Sequence, residues 1–295
     1  MNPDAKVKPE VGILIAIISV SFAALFIRWS SAHPMVVAFY RLAFASLILL
    51  PITLYTSRKE LFSIDKKLLA VLIGVGAILA IHFGAWISSL YYTTVASSVL
   101  LVTSHPIIVA SVSHYIFKEK HNVKAAGGIV LALAGMIVIS WGDAFFGFEY
   151  FIGDVLALVG MVAVAVYMLA GRKIRQNLDL FVYVFIVYSS AALFLLIGCL
   201  SLKAQLYPLP QDDYILFLAL AIIPSIFGHT VYNWTLKYVS ATVISVSLLG
   251  EPILASLWAV IFLEEFPSNT IYLGGAMILI GIIMVSSVGI NSKNG

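Results

Sequence analysis

Charged side chains are scarce in this sequence, and their scarcity decides its class. Asp, Glu, Lys and Arg make up 11% of the 295 residues, whereas hydrophobic residues make up 62% and the mean hydropathy is +1.06. Soluble domains carry about 25% charged residues, because a folded chain needs a solvated exterior. A soluble fold is therefore excluded. The sequence predicts an all-α, multi-pass protein of the cell (plasma or inner) membrane.

Several features on which catalysis or cofactor binding depends are also missing. Cys199 is the single cysteine, so no intrachain disulfide can form. The sequence has no Walker phosphate loop, no residues at metal-ligand spacing and no aspartate in the middle of an apolar run. Intramembrane hydrolysis would need a nucleophile–base pair or two facing aspartates, and Asp143 and Asp154 are expected at the outer surface. We therefore predict no enzyme activity, no cofactor and no metal.

The basic residues also limit the choice of partner. The net charge of +3 is spread over several loops and forms no dense patch, which argues against binding to nucleic acid. The partners expected are a small-molecule substrate and membrane lipids, while the sequence leaves a homodimer open.

Ten apolar runs, separated by short charged or turn-forming stretches, divide the chain. A helix of about 20 residues crosses the hydrocarbon core of a bilayer. Boundaries are marked by loop residues such as Ser57-Arg58-Lys59 and Pro208–Asp213. The predicted spans are Val11–Ile27, Pro34–Tyr55, Leu68–Tyr91, Thr94–Phe117, Ala125–Trp141, Ile152–Gly171, Leu180–Leu200, Tyr214–Leu236, Ala241–Leu263 and Ile271–Ile290.

The distribution of Lys and Arg orients these spans, because short cytoplasmic loops retain basic residues. With the N-terminus inside, 14 basic residues fall in inner segments and 2, Arg28 and Lys203, in outer ones. Arg41 lies within a span. An error in the helix count would invert every later loop and destroy this asymmetry. Both termini are therefore predicted to be cytoplasmic.

The two halves of the sequence match at a constant offset of 146 residues. Ten positions are identical over 51, including Pro106 with Pro252 and Gly128 with Gly274. The predicted repeats are residues 1–149 and 150–295, which form one integrated membrane domain. Each contains five spans, and because five is odd, the second repeat enters the membrane from the opposite side. Inverted repeats of this kind are typical of secondary transporters that work by alternating access.

Several segments carry a resemblance to a known family. They are Phe39-Tyr40-Arg41-Leu42-Ala43, His105-Pro106, Lys118-Glu119, the run Leu236–Thr242, Glu251-Pro252 and Glu264-Glu265. Over essentially its whole length the chain resembles the EamA-type branch of the drug/metabolite transporter superfamily. The resemblance implies ten helices in two five-helix repeats and export of amino acids or similar small metabolites. One departure is His105, which precedes its proline where the second repeat has Glu251.

Ionisable groups inside a span are costly, so they are the first candidates for a substrate site. Glu251 and His105 lie near the middle of spans nine and four, each directly before a proline. Pro106 and Pro252 are predicted to break their helices and free backbone carbonyls at a central site. The alternative is that the prolines only kink the helices and that Glu251 is held neutral by a neighbour.

Four further side chains could contribute to the same site. Arg41 could bind a carboxylate through its planar fork, or it could instead tie helix ends together and snorkel outward. His82 and His229 could line the pathway or serve as packing hydrogen-bonders. Tyr40, Tyr167, Tyr232 and Trp258 are weaker candidates for an aromatic wall than Trp86, which lies one turn from His82. The substrate-binding residues predicted are Glu251, His105, His82, Trp86 and Arg41.

A second class of function remains open. The sequence predicts a secondary transporter that hydrolyses no ATP, but a channel-like or lipid-scrambling protein would share its composition. Saturable counter-flow into proteoliposomes separates a carrier from a channel.

Overall fold

The structure is a computed structural model that describes residues 8–117, 123–235, 237–238 and 247–291. In these ranges the regular structure is entirely helical. The helices are α1 (Pro9–Ser21), α2 (Ala23–Trp29), α3 (Pro34–Thr56), α4 (Arg58–Ser63), α5 (Lys66–Ser89), α6 (Val95–Val102), α7 (Pro106–Phe117), α8 (Val123–Ala144), α9 (Phe148–Ile174), α10 (Leu180–Ser201), α11 (Gln211–Leu220), a π-helix (Ala221–Thr230), α12 (Val231–Thr235), α13 (Gly250–Leu263) and α14 (Asn269–Asn291).

Seven segments of the described chain are long and apolar enough to cross a membrane. They are Pro9–Trp29, Pro34–Thr56, Lys66–Ser89, Val123–Ala144, Phe148–Ile174, Leu180–Ser201 and Gln211–Thr235. Three shorter apolar helices accompany them: Val95–Val109, Gly250–Leu263 and Asn269–Val285. The chain is thus a polytopic, all-α membrane protein. The count of ten spans and the side of the termini stay predictions, and the start of predicted span nine lies partly outside the described residues.

Local sequence explains where the long helices begin. The side chains of Asp65 and Asp179 each accept two backbone N–H groups in the first turns of α5 and α10. The hydroxyl of Thr94 accepts the N–H of Ser97 at the start of α6. Pro9 and Pro34 stand in the first turns of α1 and α3, where no N–H is required. The side chains of Asp65, Thr94 and Asp179 thus accept backbone N–H groups in the first turns, which lipid could not do.

Four predicted spans are interrupted or distorted. The first breaks at Phe22, the fourth at Thr103–His105, and the ninth turns at Leu248–Leu249 before α13. The eighth continues through the ten-residue π-helix, which contains Pro224. Wide π-turns are rare and often occur at functional sites. These irregularities concentrate on the helices that surround the central cavity described below.

Helices α8 and α14 cross through glycines. A Cβ atom added to Gly128 would lie 2.6 Å from the carbonyl oxygen of Gly281, and one added to Gly135 would lie 2.5 Å from that of Gly274. The two helices are therefore antiparallel at this crossing. Gly128 matches Gly274, and Gly135 matches Gly281, at the offset of 146 residues. The crossing thus has the arrangement that a two-fold axis in the membrane plane would produce.

Asp143 and Asp154, which are predicted to lie at the outer surface of the membrane, are enclosed within the protein. Both residues are 0% exposed. Each follows a glycine, Gly142 or Gly153, that packs against a neighbouring threonine, so the helix ends approach closely enough to enclose the carboxyl groups. The position of an aspartate at the end of an apolar run does not reveal this enclosure.

Candidate functional site

A small cavity lies among helices from both halves of the chain. It has a volume of about 50 Å³ and is bordered by α1, α2, α5, α6, the break between α6 and α7, α9, the π-helix, α12 and the start of α13 with the turn before it. Its polar lining includes His82, His105, His229, Asn233 and Glu251, and its aromatic lining is Trp86, Tyr167 and Tyr232. Four of the five predicted substrate-binding residues therefore border one cavity.

Glu251 reaches the cavity from the first turn of α13. Its backbone N–H donates to the carbonyl of Leu248 at 2.9 Å, which closes the turn before the helix. Pro252 follows it and is buried. A proline in a first helical turn costs no hydrogen bond, because the N–H there has no partner within the helix. Pro252 therefore stands at the start of α13, within the predicted ninth span.

His105 occupies the corresponding place in the first half. It ends the break at Thr103–His105, and Pro106 is the first residue of α7. The ring Nδ1 of His105 lies 3.3 Å from the carbonyl oxygen of Val102, while its buried Nε2 has no hydrogen-bond partner in the described ranges. Both prolines thus mark helices that begin at the cavity, which leaves terminal backbone groups beside it.

His82 and Trp86 lie one turn apart on α5. Their rings stack with centroids 6.1 Å apart, and the rings of His82 and His229 are 6.4 Å apart. Nδ1 of His82 lies 2.9 Å from the carbonyl oxygen of Gly160. Because a carbonyl can only accept, Nδ1 carries a proton in this contact, which leaves Nε2 to take part in cavity chemistry.

Arg41 lies behind the cavity wall and is not one of its lining residues. Its guanidinium carbon is 4.2 Å from the ring centroid of Phe83 and 5.9 Å from that of Trp86. Nε donates to Ser225 on the π-helix at 2.8 Å, and the side chain is fully buried. The two terminal nitrogens have no hydrogen-bond partner among the described residues. Arg41 lies within electrostatic range of Glu251. An outward, snorkelling arginine does not fit this burial.

Tyr167 and Tyr232 border the cavity, although the sequence analysis ranked them below Trp86. Asn233 was missed; its amide nitrogen donates to the hydroxyl of Tyr167 at 2.6 Å and to the carbonyl of His229 at 2.7 Å. The repeat could have identified Tyr232, because it matches Trp86 at the offset of 146. Tyr40 and Trp258 are outside the cavity lining and hydrogen-bond to the carbonyl of Leu206 and to Ser21, respectively.

Three pairs of cavity residues are related by the repeat. They are Trp86 with Tyr232, Val102 with Leu248, and His105 with Glu251. The described residues contain no cluster of His, Cys, Asp or Glu suited to hold a metal ion. The arrangement can offer a carboxylate, imidazole nitrogens and aromatic faces to a small, partly polar molecule.

A central cavity enclosed by membrane helices from both halves of a chain is typical of membrane transport proteins. The chain belongs to the EamA-like transporter family, whose sequence pattern matches residues 8–141 and again residues 151–287.

Similar proteins agree with this assignment. An uncharacterized transporter of Archaeoglobus fulgidus is 25% identical over 273 residues, which cover 90% of this chain and 92% of that protein. The uncharacterized transporter YoaV of Bacillus subtilis is 26% identical over 297 residues, covering 93% and 96%. A crystal structure superposes with a TM-score of 0.69 at 20% identity over 94% of this chain and 96% of that one, which supports the fold alone.

Replacing Arg41 with lysine tests the predicted anion site. Lysine keeps the charge but loses the planar fork and the Nε contact with Ser225. If the free guanidinium nitrogens bind a substrate anion, we expect the apparent affinity to fall by roughly tenfold to a hundredfold, the effect of losing a charged hydrogen bond of about 1.5–3 kcal/mol. The measurement is the substrate concentration at half-maximal transport.

Ser225→Ala is the matched control for this substitution. It removes the hydrogen bond that positions Arg41 and leaves the guanidinium intact. A smaller loss of affinity than in Arg41→Lys is expected. Unaltered affinity in Arg41→Lys would show that the fork binds no substrate.

Proposed function

We propose that this chain is a secondary transporter that exports amino acids or similar small metabolites across the cell membrane by alternating access. The observation that carries the proposal is the cavity, where repeat-related residues meet around Glu251. In the proposed topology ten spans form two inverted repeats with both termini cytoplasmic. The two family matches and the antiparallel crossing of α8 and α14 support this arrangement.

The size of the cavity supports a cycle that requires movement. A cavity volume of about 50 Å³ is small beside the roughly 300–1,000 Å³ of typical ligand pockets. A metabolite therefore enters only if helices around the cavity shift. The broken helices α6–α7 and α13 and the π-helix supply such elements, because irregular backbone beside a cavity absorbs a change of shape more easily than a continuous helix.

Polar contacts join helices at both ends of the cavity. At the predicted outer end, Arg28 pairs with Glu265 at 3.4 Å. At the predicted inner end, Nε of Arg175 donates to the carbonyl of Asn233 at 3.2 Å. Burial lowers the pKa of Arg175, an effect opposed by the neighbouring Asp179. In the proposed cycle these contacts break alternately and expose the cavity to one side at a time.

Counter-flow into proteoliposomes tests this function directly. Liposomes that contain the purified chain are loaded with an unlabelled compound, and uptake of the same labelled compound is followed over a panel of amino acids and nucleosides. We expect saturable uptake and a transient accumulation of label for at least one compound. Glu251→Leu liposomes serve as the control, because this variant places an apolar group in the cavity.

Two results would overturn the proposal. Non-saturable flux without transient accumulation would indicate a channel. Movement of fluorescent lipid between leaflets, without solute uptake for any compound, would indicate a lipid-scrambling protein.

A further inference from the structure

Two carboxyl groups are buried together at the ends of α8 and α9 that meet the turn between α5 and α6. Asp143 and Asp154 are both 0% exposed and lie close enough to interact electrostatically. Oδ2 of Asp143 accepts the hydroxyl of Thr93 at 3.1 Å. Oδ1 of Asp143 and both oxygens of Asp154 receive no hydrogen bond of normal geometry from the described residues. The central cavity does not include this pair.

Close backbone packing builds the enclosure. A Cβ atom added to Gly153, directly before Asp154, would lie 2.7 Å from the backbone nitrogen of Thr93. Gly142, directly before Asp143, is packed equally tightly against Thr270 of α14. The hydroxyls of Ser97 and Ser140 lie beside the carboxyl groups. Three helices and one turn therefore hold the two acids in place, and water has little room to screen them.

Two other buried or half-buried carboxyl groups near the predicted outer side of the membrane have more hydrogen-bond or ion-pair partners than the aspartate pair. Asp213 is 2% exposed, and its oxygens accept Ser30 Oγ at 2.5 Å, the backbone N–H of Ser31 at 2.9 Å and Ser31 Oγ at 2.7 Å. Glu265 accepts the backbone N–H of Val95 at 2.5 Å and pairs with Arg28. Hydrogen-bond donors or a cation thus take the place of water around these two carboxyl groups. The aspartate pair lacks such a set of donors.

The charged groups that face the pair do not neutralise it. Glu265 lies within electrostatic range of Asp143, and burial raises the pKa of Glu265 despite its bonds to Val95 and Arg28. The guanidinium of Arg28 is engaged by Glu265 and by the carbonyl of Leu90 at 2.8 Å. The contacts from α6 and α14 are made by the uncharged residues Ser97 and Thr270. Full ionisation of the pair would leave two adjacent negative charges without compensation.

We propose that Asp143 and Asp154 form a proton-binding site, in which one shared proton fastens the ends of α8 and α9 to the turn before α6. Two carboxylates that share an enclosed site cannot both ionise cheaply, so one of them retains a proton. A shared proton converts the repulsion into an O–H···O⁻ hydrogen bond, which is among the stronger kinds in proteins. Loss of this proton loosens the contact between the helices.

Asp154→Asn tests the site because its amide supplies a permanent N–H in place of the proton. In the wild type, the folded protein holds one proton more than the unfolded chain, so stability is greatest at low pH and falls as the pH rises. The unfolding equilibrium should change by up to about tenfold per pH unit above the ordinary pKa of an aspartate, about 3.9, and level off once the pH exceeds the pKa of the shared proton. We expect thermal unfolding in lipid nanodiscs to show this fall in the wild type and to lose it in Asp154→Asn.

Infrared spectroscopy observes the proton itself. The C=O stretch of a protonated carboxyl group is recorded in Glu251→Gln, which removes any contribution from the central cavity, and again after Asp154→Asn is added. The band should be present in the first protein at neutral pH and lost in the second. Asp212→Asn, a change at an exposed residue in the first turn of α11, should leave both the band and the pH dependence unaltered.

The possible results separate the proposal from its rivals. Absence of the band at neutral pH in Glu251→Gln overturns it, even if neither Asp143→Asn nor Asp154→Asn folds. An unaltered band or pH dependence in a folded Asn variant also overturns it. If sodium raises the unfolding temperature of the wild type at high pH but not that of Asp154→Asn, the site binds a metal cation instead. None of these measurements uses a substrate, so they stand apart from the proposed transport function.

Discussion

Replacing Glu251 with glutamine is expected to abolish either substrate binding or gradient-driven accumulation. Glutamine keeps the size and the hydrogen-bonding capacity of the side chain but removes its charge and its titration. Glu251 borders the central cavity from a helix start and has Tyr232 as a neighbour in the lining. Without the charge, a substrate amine would lose a charged hydrogen bond of about 1.5–3 kcal/mol. The apparent affinity should then fall by roughly tenfold to a hundredfold.

The two roles of Glu251 differ in what survives the substitution. If Glu251 carries a proton between the two faces, the variant should lose accumulation driven by a pH gradient and retain exchange of labelled for unlabelled substrate. If Glu251 binds a substrate amine, exchange should be lost as well. Both rates are measured in the same proteoliposomes, with and without an imposed gradient.

Glu149→Gln is the matched control, because Glu149 is exposed in the first turn of α9 and is not one of the residues that line the cavity. It should transport at the wild-type rate. A purely structural Glu251, bonded in its neutral form, predicts normal transport in Glu251→Gln and damage only in Glu251→Leu. Wild-type rates in Glu251→Gln at every pH would remove this residue from the mechanism.

The long helices could be predicted from the sequence because the same physical requirement applies to every helix that crosses lipid. Backbone groups must bond within the helix, so long apolar runs such as Pro34–Thr56 and Leu180–Ser201 are continuous and begin at a capping residue or a proline. Pro106 gave the signal for a helix break, and the turn at Thr103–His105 lies directly before it. No comparable signal indicated the π-helix at Ala221–Thr230, which depends on side-chain and backbone contacts that composition does not encode.

The site was predictable where two independent signals coincided. Glu251 and His105 combine an ionisable group with a following proline, and both border the cavity. Tyr232 could have been predicted as a cavity residue only from the repeat, because it matches Trp86 at the offset of 146 residues. Arg41 has no proline after it, and it lies behind the cavity wall against Phe83. Hydropathy indicates which segments lie within the membrane, but it does not show which face of a helix borders the cavity.

Gly135→Ala is expected to destabilise the protein strongly at the crossing of α8 and α14. The added Cβ would lie 2.5 Å from the carbonyl oxygen of Gly274 and 3.0 Å from the backbone nitrogen of Ile278. Backbone atoms cannot rotate away, so the two helices must separate and lose contacts along their length. Overpacking of this kind costs about 1–3 kcal/mol. The unfolding temperature in detergent should fall by about 2–4 °C for each kcal/mol.

Gly74→Ala supplies the matched control, since a Cβ there meets nothing within 4 Å. Alanine is more favourable than glycine in a helix by about 0.5–1 kcal/mol, so this variant should be neutral or slightly more stable.

The repeat makes a further prediction at this crossing. Gly128 and Gly274 occupy matching positions, and a Cβ atom added to either would lie 2.6 Å from a carbonyl oxygen of the opposite helix. Gly128→Ala and Gly274→Ala should therefore lower the unfolding temperature by similar amounts. If only one of them does, the two halves do not share the crossing as equivalent partners, and the proposed two-fold relation fails there.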